Sequence, residues 1–210
     1  GFYTPYLPER TTMAESPNMI VRAAVGVGAL EDWAVAYQKR YTYQSSCGLV
    51  VPKAQIGAMR SGDSAALSST PQICSLYVGA FIVPGQDPLA LKCEIEEALA
   101  AARVPASDVE LYLFHPGYEA KNAERITTAV RRAHEQTFGS APPAPNPATC
   151  SMWRDINSFN ELGIPAITYG PRSERHSYRR SFTIDALYRA ACVYARTMVD
   201  VCNQEKPRTG

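Results

Sequence analysis

The sequence predicts an α/β protein in which a ferredoxin-like α+β unit precedes a second α/β unit. Residues 17–114 follow the order helix, strand, strand, helix, strand. Residues 150–185 follow the order loop, short helix, buried strand, and a loop that holds His176 before the last helix. Of the 210 residues, 46% are hydrophobic and 20% are charged, so the chain can form a packed core.

The first helix is predicted from its start signal and its periodicity. Ser16 is a good N-cap, and Pro17 suits the first helical position. Gly26 and Gly28 weaken the helix but permit close packing. Residues 40–52 show no clear pattern. The apolar residues that recur at spacings of three and four are Ile20, Ala24, Val27, Leu30, Ala34 and Tyr37.

Three strands and a second helix complete the first predicted domain, residues 1–115. The strands are expected at 54–60, 72–83 and 109–114, and a Pro-Gly turn ends the second of them. Asp87 and Pro88 start the helix. Its apolar side is formed by Leu91, Ile95, Leu99 and Ala102, and its solvated side by Glu94, Glu96 and Glu97.

The first domain would be completed by one more strand. A strand before Gly1 would give the order β-α-β-β-α-β. Because the chain starts with Gly and not with Met, we expect it to be cut from a longer protein.

The second predicted domain spans residues 116–210. Its boundary is the sequence His115-Pro116-Gly117, which interrupts the strand pattern. A helix is expected over 122–138, ended by Gly139, and a proline-rich connector over 141–147. The last helix begins near Thr183, and its expected buried face consists of Ile184, Leu187, Ala191, Tyr194, Met198 and Val201.

Charge and cysteine usage exclude several classes of function. A net charge of +1 gives no reason to expect nucleic acid or a membrane surface as partner. No apolar run approaches the ~20 residues of a membrane span, and no signal-peptide pattern opens the chain. The six cysteines form no C-x-x-C pair, which favours reduced thiols in a cytoplasmic protein over a disulfide framework.

The chain has three histidines, of which His176 is predicted on neither a helix nor a strand. His134 is expected on a solvated helix face, and a structural role is expected for His115. A catalytic zinc needs about three protein ligands, so these residues alone cannot build a complete metal site. Arginines surround His176 and suit either carboxylate binding or a solvated loop: Arg154, Arg172, Arg175, Arg179 and Arg180.

Residues 151–176 resemble the C-terminal signature of a family of zinc amidohydrolases and exopeptidases. The family includes acetylornithine deacetylase, succinyl-diaminopimelate desuccinylase, aminoacylase and glutamate carboxypeptidase. In that family a loop with Asp precedes a helix, a Gly-Ile/Val-Pro step, an apolar strand, a Gly-Pro turn and a metal-binding His. The matching residues, in order, are Asp155, Gly163, Ile164, Pro165, Gly170, Pro171 and His176.

The resemblance implies a lid, or dimerisation, domain followed by the C-terminal half of an αβα zinc-exopeptidase domain. The remaining N-terminal catalytic half would hold the other ligands of two metal ions, zinc or alternatively cobalt or manganese, and this chain would supply at most His176. A metal-activated water would hydrolyse an amide bond of a small peptide or an N-acyl amino acid. The lid would form a homodimer. The implied substrate-binding residues are Trp153, Arg154, Asp155, Gly170 and Arg172.

The sequence departs from the family pattern at four places. Gly79-Ala80-Phe81 replaces the lid motif Asp-x-Arg, and Arg180 replaces a common Glu. Arg172 is the third residue of the turn, and Trp153-Arg154 precedes Asp155. Arg154 or Arg172 could take over carboxylate binding. The alternative is a catalytically inactive dimerisation or interaction module derived from the same family.

Overall fold

The computed structural model describes residues 2–46, 48–144, 155–171, 174–176 and 179–203. These residues divide into two compact units, 2–117 and 118–203, and both contain helices and antiparallel strands. The mixed α/β class predicted from the sequence is therefore observed. No described helix combines the length and the hydropathy that a bilayer-spanning segment requires.

Helix α1, Met19–Arg40, begins two residues later than predicted. The N-cap is Asn18, whose Oδ1 accepts a hydrogen bond from the Ile20 N–H group at 2.9 Å. The hydroxyl group of Ser16 instead accepts hydrogen bonds from Arg10 and from the Asn18 N–H group, at 2.7 and 3.2 Å. Ser16 therefore fixes the turn that leads into the helix.

The buried stripe of α1 differs from the predicted one because it includes Gly26 and Trp33. A Cβ atom at Gly26 would lie 3.2 Å from Cδ2 of Leu99, so the missing side chain lets the next helix approach closely. Gly28 has no such neighbour. The complete stripe is Ala23, Gly26, Leu30, Trp33 and Tyr37.

Two antiparallel strand pairs follow α1. Strands β1, Tyr43–Ser45, and β2, Gly48–Val50, form a short antiparallel pair in the region 40–52, where the sequence shows no clear pattern. The predicted long strands are β3, Ala54–Ser61, and β4, Cys74–Ala80, which pair with each other across one irregularity in register. The ribbon contributes apolar side chains to the core against α1 and the second helix, namely Ile56, Leu76 and Val78.

Helix α2, Pro88–Ala101, starts as predicted, with the Asp87 side chain accepting from the Leu89 N–H group at 2.9 Å. Glu94, predicted on the solvated side, is instead a half-buried acceptor. Its carboxylate receives hydrogen bonds from Nε1 of Trp33 at 3.1 Å and from the Tyr41 hydroxyl group. Arg40 lies 3.1 Å away, so one carboxylate joins the C-terminal end of α1 to α2.

Residues 109–114 do not form the predicted third strand. They have no ladder partner among the described residues, and the side chains from Leu111 to Phe114 are exposed. The chain is fixed again at Gly117, which forms a parallel bridge with Pro84. A Cβ atom at Gly117 would lie 2.5 Å from the Val83 carbonyl carbon, so this close approach requires glycine.

The second unit is built around two long helices, α3, Glu124–Phe138, and α5, Ile184–Asn203, with a short helix α4, Ile156–Glu161, and a hairpin between them. Gly139, with φ of 72°, ends α3 as predicted. Arg132 binds the Asp200 carboxylate through both of its oxygens, at 3.0 and 3.1 Å. The residues buried in the two long helices are Ala129, Ala133, His134, Ala190, Val193 and Thr197.

The predicted buried face of α5 is wrong in this structure. Ile184 is 86% exposed and Met198 is 64% exposed. The residues that are buried instead lie about a quarter turn away, since successive residues of an α-helix are separated by about 100°. The apolar pattern is present in the sequence, but most of the side chains that form it are exposed.

Tyr37 gives a test of the first unit. Its side chain is fully buried, and its hydroxyl group lies 2.9 Å from the Phe81 carbonyl oxygen and 3.0 Å from Oε1 of Gln86. Burial raises the pKa of Tyr37 to about 12. The folded state therefore holds this proton to higher pH than the unfolded state does. The free energy of unfolding should fall as the pH rises from about 10 to about 12.

We expect Tyr37→Phe to lose about 1–2 kcal/mol of stability at neutral pH, because it removes a buried hydrogen bond. The variant should also show a shallower loss of stability through the alkaline window, measured by urea denaturation at several pH values. Tyr112→Phe, at an exposed side chain, is the matched control and should behave as the unaltered protein. Identical pH slopes for Tyr37→Phe and the unaltered protein would contradict this account.

Candidate functional site

The predicted site begins at α4. Asp155 immediately precedes the helix, is exposed, and makes no capping hydrogen bond with its side chain. Gly163, with φ of 77°, follows the helix in the left-handed conformation. The Ile164 N–H group donates to the Phe159 carbonyl oxygen at 2.9 Å, a closure typical of a glycine-terminated helix. The Asp-helix-Gly-Ile order of the signature is thus one local structure.

Asn160 holds the apolar segment that follows. Its side chain is buried, its Oδ1 accepts from the Ala166 N–H group at 2.9 Å, and its Nδ2 donates to the Ala166 carbonyl oxygen at 3.0 Å. The side-chain amide therefore pairs with Ala166 in the way that a neighbouring strand would. Sequence reasoning did not single out Asn160, because a polar residue on a short helix gives no sign of its partner.

Residues 165–169, predicted as a buried strand, have no ladder partner among the described residues. Ala166 and Ile167 are half-buried, whereas Pro165 and Thr168 are exposed. A β-strand requires hydrogen bonds to a neighbouring backbone. Here the side-chain amide of Asn160 makes such bonds at one residue only, Ala166.

Tyr169 ends this segment between two helices. Its hydroxyl group lies 2.7 Å from Nδ1 of His134 on α3, and the two rings are in an edge-to-face arrangement. Its carbonyl oxygen accepts a hydrogen bond from the Tyr194 hydroxyl group on α5 at 2.6 Å. Burial, and then the neighbouring Tyr194, raise the pKa of the Tyr169 hydroxyl group.

His134 is therefore not on a solvated helix face, and that prediction is wrong. The side chain is buried, with 9% of its surface exposed, and it stacks on Phe138 with a centroid distance of 4.4 Å. The charged neighbours of His134 in the sequence suggested solvent, but the hydroxyl group of Tyr169 satisfies the buried imidazole.

His176 lies in a strand and not in a loop. It is the last residue of β5, Glu174–His176, which pairs with β6, Arg179–Ser181, so that His176 is opposite Arg179. A short hairpin thus holds the backbone of the predicted metal ligand. The position of its imidazole lies outside what the structure describes.

The other predicted site residues are described only in part. Gly170 lies beside α5, where a Cβ atom would be 3.5 Å from the Tyr194 hydroxyl group. Trp153, Arg154 and Arg172 lie outside the described residues. The structure brings Tyr169 and Gly170 together against Tyr194. The substrate-binding role of Trp153, Arg154, Asp155, Gly170 and Arg172 stays a prediction.

The described residues do not fit a complete zinc site. No group of three or more His, Cys, Asp or Glu side chains converges among them. The role of His176 as a zinc ligand stays a prediction. Two grooves lie between α3 and α5, but none of the predicted site residues lines either of them.

No family model matches the sequence. The structure is similar to the crystal structure of an M20 family metallo-carboxypeptidase from Sulfolobus solfataricus, with a TM-score of 0.51 and 15% sequence identity. The match covers 93% of this chain and 46% of that chain, so this chain spans less than half the length of that enzyme. At this identity the likeness shows a partial peptidase-like α/β fold.

Asn160 gives a test of this local structure. Asn160→Asp keeps the acceptor for the Ala166 N–H group but places a carboxylate oxygen against the Ala166 carbonyl oxygen. We expect a loss of about 1–3 kcal/mol in the free energy of unfolding at neutral pH, measured by chemical denaturation. Asn203→Asp, at an exposed position near the end of α5, is the control and should change stability by less than about 0.5 kcal/mol. Equal effects of the two substitutions would exclude the strand-like role of the amide.

Proposed function

We propose that this chain is the C-terminal portion of a metal-dependent hydrolase of amide bonds: a peptidase, a carboxypeptidase or an N-acyl amino acid deacylase. The observation that supports this is the ordered series from Asp155 through Gly163 and Gly170 to His176, within a chain whose fold is like that of an M20 metallo-carboxypeptidase. The remaining catalytic residues would come from an N-terminal catalytic half.

In this proposal His176 binds one of two zinc ions and is held by the β5–β6 hairpin. Zinc, when bound, would supply a water of lowered pKa as the nucleophile. The proposed substrate-binding positions precede α4 or follow the segment 165–169, and they are Trp153, Arg154, Asp155, Gly170 and Arg172. The substrate would be a small peptide or an N-acyl amino acid.

The first unit would act as the lid and as a dimerisation domain. The order of α1, β3, β4 and α2 matches the middle of a β-α-β-β-α-β arrangement, and two more strands, one at each end, would complete it. We also propose the cytoplasm as the compartment. Four described cysteines are free, as expected of a reducing environment: Cys74, Cys93, Cys192 and Cys202.

The function is tested by sequencing the reading frame upstream of residue 1 and assaying its full product. We expect an H-x-D motif and a Glu-Glu pair upstream, and zinc-dependent hydrolysis of dipeptides or N-acyl amino acids that a chelator abolishes. A full product without these ligands and without hydrolysis would support the inactive interaction module instead.

His176 tests the metal role. In the full product, His176→Ala should lower kcat/KM at least about 100-fold and weaken zinc retention, because even residues that only orient metal ligands contribute 10- to 100-fold. Glu97→Ala, on the exposed side of α2, is the control and should leave both quantities unchanged. Normal zinc content and activity in His176→Ala would remove His176 from the site.

Arg154 tests the proposed recognition of a carboxylate. Arg154→Ala should raise KM about tenfold or more for substrates with a free carboxylate, because it removes a charge-assisted hydrogen bond. The matching amide substrates should be affected little. An unchanged KM for the carboxylate substrates would reject this role.

A further inference from the structure

The peptide bond between Tyr169 and Gly170 is held from α5 by the hydroxyl group of Tyr194. This group donates a hydrogen bond to the Tyr169 carbonyl oxygen at 2.6 Å, and the two tyrosine rings meet edge to face with a centroid distance of 5.9 Å. The same hydroxyl group would lie 3.5 Å from a Cβ atom added at Gly170. Tyr194 therefore lies beside the residues on both sides of this peptide bond.

The side chain of Tyr169 is fixed separately, on α3. Its hydroxyl group lies 2.7 Å from Nδ1 of His134. His134 is itself buried and stacks on Phe138 with a centroid distance of 4.4 Å. Because α3 holds the ring and α5 holds the carbonyl oxygen, the two contacts together restrict the ψ angle of Tyr169. This angle decides in which direction the following peptide plane points.

The direction of the Gly170 N–H group follows from the planarity of the peptide. No cis peptide bond occurs among the described residues, so the C=O group of Tyr169 and the N–H group of Gly170 point in opposite directions. Since the carbonyl oxygen is directed at Tyr194, the N–H group is directed away from it. Gly170 is exposed, and its N–H group has no acceptor in the part of the chain that the structure describes.

Pro171 restricts the same peptide from the other side. A proline disfavours the helical conformation of the residue before it, which here is Gly170. A glycine without such restraints has more conformational freedom than any other residue. The Gly170 N–H group is thus an oriented backbone donor that faces solvent. Backbone donors of this kind fix the orientation of small ligands in binding sites.

We propose that Tyr194 is a positioning residue of the hydrolase site. Its hydroxyl group orients the Tyr169–Gly170 peptide so that the Gly170 N–H group donates a hydrogen bond to a carboxylate oxygen of the substrate. Tyr194 acts through this peptide and does not itself contact the substrate. The inference rests on the proposed function, since it takes its ligand, a peptide or N-acyl amino acid with a free carboxylate, from that function.

The orientation of the peptide is tested on residues 1–210 by NMR, without substrate or metal. Of the 12 tyrosines, Tyr169 is the one that a glycine follows. Labelling with carbonyl-¹³C tyrosine and ¹⁵N glycine therefore makes this peptide the one doubly labelled amide. Tyr194→Phe should move its carbonyl ¹³C resonance upfield, because a hydrogen bond to the oxygen deshields the carbon. Tyr188→Phe, at an exposed tyrosine of the same helix, is the control and should leave the resonance unchanged.

The substrate contact is tested in the full product. With the same labels and a chelator present, N-acetylglycine should move the Gly170 amide proton downfield. Tyr194→Phe should raise the Kd for N-acetylglycine about 2- to 10-fold, the contribution of a neutral hydrogen bond. In turnover the variant should raise KM by a similar factor for carboxylate substrates, but not for their amides. Its kcat should stay within about twofold, because the contact is lost equally from the ground state and the transition state. Tyr188→Phe should change none of these quantities.

The outcomes separate this inference from the proposed function. An unchanged Tyr169 carbonyl resonance in Tyr194→Phe, or an unchanged Kd and KM, would overturn the positioning role. A fall in kcat at constant KM would also overturn it, because the contact would then act on the transition state and not on the carboxylate. A full product that binds N-acetylglycine at Gly170 but hydrolyses nothing would reject the proposed function and keep the positioning role. A full product that neither binds nor hydrolyses would reject both.

Discussion

The first unit depends on the packing of α1 against the β3–β4 ribbon. A two-stranded antiparallel pair is at best marginally stable alone, and it needs an apolar layer on one face. Leu76 and Val78 of β4 meet α1 and α2 in that layer. Gly26 permits the close approach of Leu99, and the Glu94 carboxylate joins the far end of α1 to α2. Apolar contact brings the two helices together, and the half-buried carboxylate of Glu94 fixes how they meet.

The second unit uses polar side chains where the first uses apolar ones. The side-chain amide of Asn160 pairs with the backbone of Ala166, as a neighbouring strand would. His134 contacts the hydroxyl group of Tyr169, and Tyr194 donates a hydrogen bond to the carbonyl oxygen of Tyr169. These contacts lie within the segment that leads to the His176 hairpin. Hydrogen bonds to half-buried groups favour one backbone path, because an unmade bond leaves a partly desolvated group without a partner. Three such contacts therefore hold residues 160–169, which precede the predicted metal ligand in the chain.

Local signals predicted the helices well, because caps and periodicity are properties of adjacent residues. Asp87-Pro88 and Gly139 mark the ends that the structure shows. The same reasoning failed where the outcome depends on distant partners. Residues 109–114 have the composition of a strand but no ladder partner in the part of the chain that the structure describes. His134 contacts the hydroxyl group of Tyr169, which is 35 positions away in the sequence. At the candidate site the resemblance selected His176, whereas Asn160 and Tyr194 became visible only in three dimensions.

The arrangement of charge on α5 has a consequence for the colloidal behaviour of the isolated chain. The charges of its two acidic residues, Asp185 and Asp200, and of its two basic residues, Arg189 and Arg196, sum to zero, and Asp185 and Arg189 form an ion pair. The whole chain has a net charge of +1, which gives little repulsion between molecules at neutral pH. Association of molecules through an exposed apolar surface is then opposed by almost no long-range electrostatic repulsion. Handling conditions that move the chain away from neutrality should keep it dispersed more effectively than added salt, which screens the remaining repulsion.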